Sequence, residues 1–497
     1  MNATKTDIDW TDLFCGRGGS TTGISQVPGM SVAVAANHWQ LAVDNHAANH
    51  QDTDHICADI SQRDPKYFPH TVAAWGSPEC TNHTVAKGKK RVTNQPDLFG
   101  DTLPDEAAER SRATMWDVCR LSEFHNYQIF ITENVVEAAR WVMFDAWLMA
   151  MTALGYNHHI VYMNAMHAQL GGLPAPQSRD RMYVVFWKKG NRAPDFDRLR
   201  PNAYCPSCGE VVRAMQVFKK PERWGKYKAQ YNWRCPKQSC KNRIIEPAWL
   251  PASTAIDWTL RGQRIGDRPL RKFTDKKTNT ETWAPLAPKT LARIHNGLEM
   301  YGSTPMSIDS VRGSQIISAV DREPFATQTT AYTRSLLIPV EGRDGKTAQP
   351  VTNAMRTQTT RNETGILTPG HSMLMEYYGN GTMHELTKAI PTITTHDRFA
   401  MITTLRGHNT PKLVSDVLDT FAANGLHHGL TEWDAAELDD CEFRMLEPHE
   451  ISRGMAFPEN ETEIGTKRER VKMSGNAVCP PCARDLAIIT GESLMMS

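Results

Sequence analysis

Cys80 stands in WGSPECTNHT, just after an apolar run that reads as a strand, and Glu133 and Asn134 of ITENV end the next such run. Open α/β sheets bind ligands in the crevice at the carboxyl ends of their strands, so a thiol and a carboxylic acid would face the same crevice. A thiol can add to an electron-poor carbon, and an acid can supply or hold the proton that the addition requires. An isolated cysteine is more often a small buried hydrophobe, so the functional reading depends on the acid beside it. Upstream, DLFCGRGGSTTG sets Gly16, Gly18 and Gly19 after the first strand-like run, where glycine lets the backbone turn sharply and approach a ligand. A nucleotide-binding unit offers an acid to the ribose hydroxyls about 20 residues farther on. Here that place holds Asn37-His38-Trp39, with His38 where the acid is expected, and the next run ends at Asp59, whose carboxylate could accept an adenine amino group.

A second group of thiols has metal-ligand spacing. Cys205-Pro-Ser-Cys208-Gly209 is followed, after 26 residues, by Cys235-Pro-Lys-Gln-Ser-Cys240. Two close pairs bracketing a strand-forming insert are the spacing of a structural zinc ribbon. Around them Lys219, Lys220, Arg223, Trp224, Lys226, Lys228, Tyr231, Trp233 and Arg234 mix cations with aromatics, which suits a surface facing nucleic acid as well as a purely structural clip. Cys479 and Cys482 form a third pair without partners in the sequence and are expected to be inert.

The elements that must position these groups follow from periodicity. Strands are expected at Asp7 to Phe14, Ser31 to Ala36, His55 to Ala58, Val72 to Trp75, Gln128 to Thr132 and Arg181 to Trp187, with helices between them, the clearest from Glu137 to Leu154. That alternation is the rhythm of a mostly parallel sheet covered by helices. After Lys188 the chain turns basic and Pro-rich. From Ile317 to Thr404 the runs PFATQTT, MRTQTT and IPTITT are each followed by an apolar one (SLLIP, GILTP, FAMIT), which suggests hairpins in an irregular β-rich domain. Beyond Trp433 the sequence is acidic and helical. Three parts are therefore expected: 1–190, 191–432 with the thiol module at 202–246, and 433–497 returning to the first.

At 497 residues the chain exceeds one ordinary core. Its 56 basic and 55 acidic side chains nearly cancel, but 202–300 carries 19 basic against 8 acidic residues and 431–497 carries 7 against 14. The first excess reads as a footprint for a polyanion or as a solvated face. The start, MNATKTDIDW, lacks a basic segment followed by an apolar one, and no run reaches membrane-spanning length. A cytosolic protein with no membrane partner is expected, its 11 cysteines reduced and open to thiol or metal chemistry.

The blocks DLFCGRGGSTTG, WGSPECTNHT, ITENV, PQSRDRMYVVF, FRMLEPHEISRGMAFP and SGNAV, in that order, resemble the DNA cytosine-5 methyltransferases over roughly the first 190 and last 60 residues. The resemblance implies a Rossmann-like class I S-adenosylmethionine-dependent catalytic domain of α/β type. Into it is inserted a β-rich target-recognition domain, here carrying the zinc ribbon. It implies that Cys80 attacks carbon 6 of a cytosine flipped from double-stranded DNA. Glu133 would act at N3, Arg181 at the carbonyl oxygen, and Arg179 would brace the site. It further implies that Phe14, Gly16, Gly18, Gly19, Trp39, Asp59, Pro78 and Asn476 line S-adenosylmethionine, with His38 departing from the usual acid at the ribose position, where an imidazole can still bond a hydroxyl. The polar loop with Lys87, Lys89, Lys90 and Arg91 reads, from its place directly after Cys80, as one that closes over the base with its cations on DNA phosphates, or else as a solvated loop. Two positions depart from the family pattern: Glu79 and Thr81 flank Cys80 where proline and glutamine are usual, and Glu79 is expected to point away from the thiol. An enzyme acting one base at a time can work as a monomer. Two other readings remain at this point: an RNA cytosine-5 methyltransferase, disfavoured by the large basic insert, and a DNA-binding protein whose catalytic domain is silent, disfavoured by the presence of every catalytic block.

Overall fold

The structure is a computed structural model that describes residues 8–78 and 106–260, most of 262–294, short pieces between 306 and 439, the segment 441–496, and two-residue strands at 95–96 and 102–103. Glu79, Cys80, Thr81, Lys87, Lys89, Lys90 and Arg91 lie outside the described residues. By contact the chain forms two compact units, one of 1–258, 320–333 and 446–497, the other of 259–319 and 334–445.

The first unit is built on a seven-stranded sheet. Its strands are β1 (Ile8–Leu13), β2 (Met30–Asn37), β3 (Asp54–Cys57), β4 (Ala73–Gly76), β5 (Ile129–Asn134), β6 (Tyr156–Asn164) and β7 (Asp180–Lys188), in the order 3-2-1-4-5-7-6. β1 to β5 are parallel, and β7 runs antiparallel to both β5 and β6. Each expected strand is present within two residues of its expected limits. β6 is an addition: as an edge strand it pairs with one neighbour only, and its half-exposed centre, His158 to Val161, shows no clean alternation. The helix expected from Glu137 to Leu154 is instead a short 3-10 turn, Val136–Arg140, followed by an α-helix at Phe144–Ala153. Buried Trp141 sets its ring edge-on against Trp116, while Val142 beside it is 90% exposed, so the chain leaves the helical path between them.

Period-two alternation sends neighbouring residues of one strand to opposite faces of the sheet. Phe130 and Val184 join Met115, Val118, Leu121 and Trp147 on one side. Ile129, Ile131 and Val185 join Ile24, Leu486 and Ile489 on the other. The first set comes from helices α3 (Glu106–His125) and α4 (Phe144–Ala153); the second from α1 (Gly19–Ser25) and the final helix α7 (Pro480–Met495). Between them in the chain lie α2 (Gln40–Asn49), α5 (Pro448–Gly454) and α6 (Lys467–Asn476). Gly19 permits a close backbone approach, since a Cβ there would stand 2.0 Å from the carbonyl oxygen of Val478.

The thiol-rich segment packs within this first unit as two hairpins, Asn202–Cys205 with Glu210–Arg213 and Met215–Phe218 with Tyr231–Arg234. The second unit is β-rich in its described parts. An antiparallel sheet of five strands runs in the order 263–264, 441–445, 334–339, 306–309, 317–319. The apolar run SLLIP falls in the strand Arg334–Pro339 of this sheet, FAMIT in the strand Phe399–Ile402 of a separate three-stranded antiparallel sheet, and GILTP lies outside the described residues.

Candidate functional site

The turns after the sheet's strands carry most of the expected site residues. Phe14 follows β1 in the left-handed region at φ 59°, unusual for a bulky side chain and a local cost of about 1–3 kcal/mol. Gly16 is also left-handed, at φ 54°, with no atom within 4 Å of where its Cβ would be, so the loop presents open backbone as a cradle would. Gly18 leads into α1. After β2, Asn37 accepts a hydrogen bond on Oδ1 from the backbone N–H of Trp39 at 2.9 Å, which fixes the turn bearing exposed His38. Lys472 of α6 lies over the Trp39 ring, 4.5 Å from its centre. Asp59 follows β3, is exposed, and caps a short 3-10 turn through Ser61 N–H at 3.1 Å. Pro78 follows β4, and its carbonyl accepts from Asn134 Nδ2 at 3.3 Å. The left-handed, half-exposed backbone at Gly16, the Trp39 ring and the exposed acid Asp59 at successive strand ends fit a nucleoside with a charged tail, the chemistry of S-adenosylmethionine, while Gly18 and Gly19 are buried.

Glu133 is the penultimate residue of β5 and is 8% exposed. Arg181 near the start of β7 holds it through Nε, 2.9 Å from Oε1. Burial pushes the Glu133 carboxyl above its ordinary range, and the guanidinium groups of Arg181 and then Arg179 oppose that shift. Arg179 is buried, and its Nη2 donates to the carbonyls of Gly475 at 3.1 Å and Ala477 at 3.0 Å, the two residues flanking Asn476. Arg179 therefore fixes the end of α6 that carries Asn476, which is itself exposed. Gln177 likewise reaches the C-terminal segment, donating from Nε2 to the Gly454 carbonyl at 3.2 Å.

Sequence reasoning missed Arg17. It is 1% exposed and touches Glu463 at 2.8 Å, Glu461 at 3.2 Å, Ser452 Oγ at 3.0 Å and Ser474 Oγ at 2.8 Å, with Phe457 under its guanidinium. Its partners lie more than 430 positions away, and no local signal announces them. Beneath the same loop Asp12 accepts from Ser20 and Thr21, His46 bonds Thr21 and His55, and His50 reaches Thr22.

The structure brings Cys205, Cys208, Cys235 and Cys240 together, with all four sulfurs within 4.8 Å of one another. Cys208 and Cys235 are 3.8 Å apart, far beyond a disulfide and close to the edge of a tetrahedron with metal–sulfur bonds of about 2.3 Å. The knuckle is shaped by N–H groups of Cys208 and Gly209 that both donate to the Cys205 carbonyl. Four thiols so placed suit zinc. Cys479 and Cys482 are buried, and burial pushes both thiols upward, to about 11 for Cys479, which keeps them protonated and unreactive. Among the described residues no helix is long and apolar enough to cross a membrane.

Residues 8–242 match the family model described as C-5 cytosine-specific DNA methylase. No curated protein matches the chain. Similar solved structures include a triply substituted DNMT2 of Spodoptera frugiperda, with 12% identity, 97% of this chain and 99% of that one covered, and a TM-score of 0.46. Another is a putative DNA modification methyltransferase encoded within a prophage of E. coli, with 14% identity, 99% and 100% covered, and a TM-score of 0.45. A third is the methyltransferase EhMeth of Entamoeba histolytica, with 10% identity, 99% and 98% covered, and a TM-score of 0.44.

Proposed function

Through residues 8–242 this chain belongs to the C-5 cytosine-specific DNA methylases, and from that premise we propose that it methylates carbon 5 of a cytosine flipped out of duplex DNA, with Cys80 as nucleophile. The observation that carries the reading is the buried Glu133–Arg181 pair at the carboxyl edge of the sheet. The Cys80 thiolate adds to carbon 6 of the base. Glu133, whose carboxyl burial makes a weaker acid than usual, supplies and holds a proton at N3 as that bond forms. Arg181, held by Glu133 through Nε and by the Asp180 carbonyl through Nη1, would direct its guanidinium to the cytosine carbonyl oxygen. Carbon 5 becomes nucleophilic, and loss of its proton with departure of Cys80 restores the ring.

S-adenosylmethionine is the cofactor expected of the family and, when bound, supplies a methyl group on a positively charged sulfur. Phe14, Gly16, Gly18, Gly19, His38, Trp39, Asp59, Pro78 and Asn476 would hold it. Cys205, Cys208, Cys235 and Cys240 would hold a structural zinc ion. Lys87, Lys89, Lys90 and Arg91 would meet DNA phosphates, and the β-rich unit together with the basic thiol module would recognise the target.

The test is tritiated S-adenosylmethionine with unmethylated duplex DNA, followed by identification of the labelled nucleoside. Label in 5-methylcytosine is expected from the parent protein. Cys80→Ala should bind DNA and give none. Label in tRNA but not in DNA would move the reading to an RNA substrate, and undiminished transfer by Cys80→Ala would remove the covalent mechanism.

A further inference from the structure

The four-thiol module does more than stand beside the catalytic sheet. Its loop between the second pair of strands reaches Asp180, the residue between Arg179 and Arg181. The backbone N–H of Tyr227 donates to Asp180 Oδ1 at 2.9 Å. Trp233 donates from Nε1 to His167 Nδ1 at 3.0 Å, and Gln216 Nε2 donates to the carbonyl of Tyr162 at 2.9 Å. Trp224 donates from Nε1 to the carbonyl of Val136, three residues past Glu133, at 3.0 Å, and Lys226 pairs with Glu137 at 2.6 Å. The module thus holds both strand ends that present the Glu133–Arg181 pair.

The link runs back to the thiols through a single strand. Tyr231–Arg234 carries Tyr231 and Trp233, both buried, and the ligand Cys235 follows at once. Tyr227 packs on Tyr231 at 5.7 Å between ring centres, and Tyr231 meets Trp233 edge-on at 5.8 Å. Without a metal the four sulfurs make only weak contacts with one another, and the knuckles are joined by Lys237 to Glu210 and Arg243 to Ser207, whereas a bound ion would fasten the turn of the first hairpin to the end of the second. Asp180 is half-buried, and the Tyr227 amide and the Asn164 side chain both bond to its carboxylate.

We propose that zinc in the four-cysteine module positions the catalytic Arg181–Glu133 pair through the Tyr227–Asp180 hydrogen bond, making Asp180 a positioning residue and the module a metal-dependent brace of the active site. This rests on the assignment of Arg181 and Glu133 to catalysis, but its structural half can be tested without activity. A misplacement of about 1 Å at a catalytic group can cost on the order of 100-fold in rate.

The experiment uses the full-length zinc-loaded protein, Asp180→Ala, Asp180→Asn, Cys208→Ser and the double variant Asp180→Ala with Cys208→Ser. Zinc content, kcat, KM for duplex DNA and hydrogen exchange across 177–188 are measured. Asp180→Ala should keep its zinc, lose about 10–100-fold in kcat with KM within about 3-fold, and exchange faster across 177–188. Asp180→Asn keeps an oxygen acceptor and should recover kcat to within about 3-fold of the parent. Cys208→Ser should lose zinc and show the same exchange increase, and the double variant should fall no more than about 3-fold below the weaker single variant, as expected for two groups on one path. Unchanged exchange in Cys208→Ser, no rescue by asparagine, or fully multiplicative losses would each overturn the proposal. If Cys208→Ser fails to fold, removal of zinc from the parent by a chelator gives the same exchange readout. A parent without methyl transfer whose 177–188 protection still follows zinc would instead overturn the catalytic reading and leave the brace standing.

Discussion

Arg17 and Glu463 meet at 2.8 Å with both side chains nearly excluded from solvent, although 446 positions separate them in the chain. The glycine-rich loop and the C-terminal segment are therefore one structural unit. Glu461 joins them, and burial raises its carboxyl above the ordinary range while Arg17 opposes that shift. Removing one partner of a buried ion pair leaves the other charge uncompensated, at a cost of about 3–5 kcal/mol. Arg17→Met should destabilise the protein by that order in denaturant unfolding. The triple variant Arg17→Met, Glu461→Gln, Glu463→Gln should regain a large part, because no buried charge then lacks a partner. A loss below about 0.5 kcal/mol in Arg17→Met would show that the network is solvated, against its burial.

Glu133→Gln should lower kcat by about 10²–10⁴-fold while DNA binding survives, because glutamine fills the space and can still accept from Arg181 but cannot supply a proton to N3. The check is a single-turnover rate beside a binding isotherm for the same duplex. Equal loss of affinity and rate would assign Glu133 to binding instead.

Replacing Glu79 probes the departure from the family pattern beside Cys80. A nucleophile that works near neutral pH is incompatible with a carboxylate acting strongly on its thiol, since that would hold the thiolate back. Glu79→Pro should therefore move the apparent pKa of Cys80, read from the pH dependence of alkylation, by less than about 0.5. A fall of about 1 or more would mean that Glu79 acts directly on the thiol.

The central sheet was legible because apolar runs of strand length alternate with helical segments, and because glycine, proline and acidic residues mark the strand ends from Gly16 to Asn134. The thiol module was legible from spacing alone. Three features were not. β6 has no alternation to read, Arg17 finds its partners only after the chain has returned from a second unit, and Tyr227 meets Asp180 through a backbone N–H that nearly every residue type possesses. Local pattern reports the face a residue must bury. It carries no information on which distant segment will cover that face.

The imidazoles beneath the glycine loop give the pH dependence a sign. Burial pushes His50 down to about 4 with a smaller contribution from His55, pushes His46 well below its ordinary value, and lowers His55 as well. Below an unfolded value near 6.5 the unfolded chain takes up protons that the folded chain refuses, so the stability these groups contribute is full above about 6.5 and is lost as pH falls toward 4. For His50 alone the loss is at most about 3 kcal/mol, since each tenfold difference in proton affinity between the folded and unfolded chain is worth about 1.4 kcal/mol. Asp12 works in the opposite sense: burial raises it to about 6, so the folded chain keeps a proton that the unfolded chain releases, and its contribution is present at low pH and lost as pH rises through about 6. Other groups facing this cluster are the hydroxyls of Thr21 and Thr22 and the carboxylate of Glu461, which bond to it directly or through Thr22, and the carboxylate of Asp54, which opposes the lowering of His55. His50→Gln keeps a polar side chain for Thr22 and removes one titrating group, so unfolding free energies measured from pH 7.5 to 4 (a range set by the ordinary histidine value of about 6.5) should fall less steeply than in the parent. An unaltered slope would mean that His50 titrates in the folded protein as it does in water.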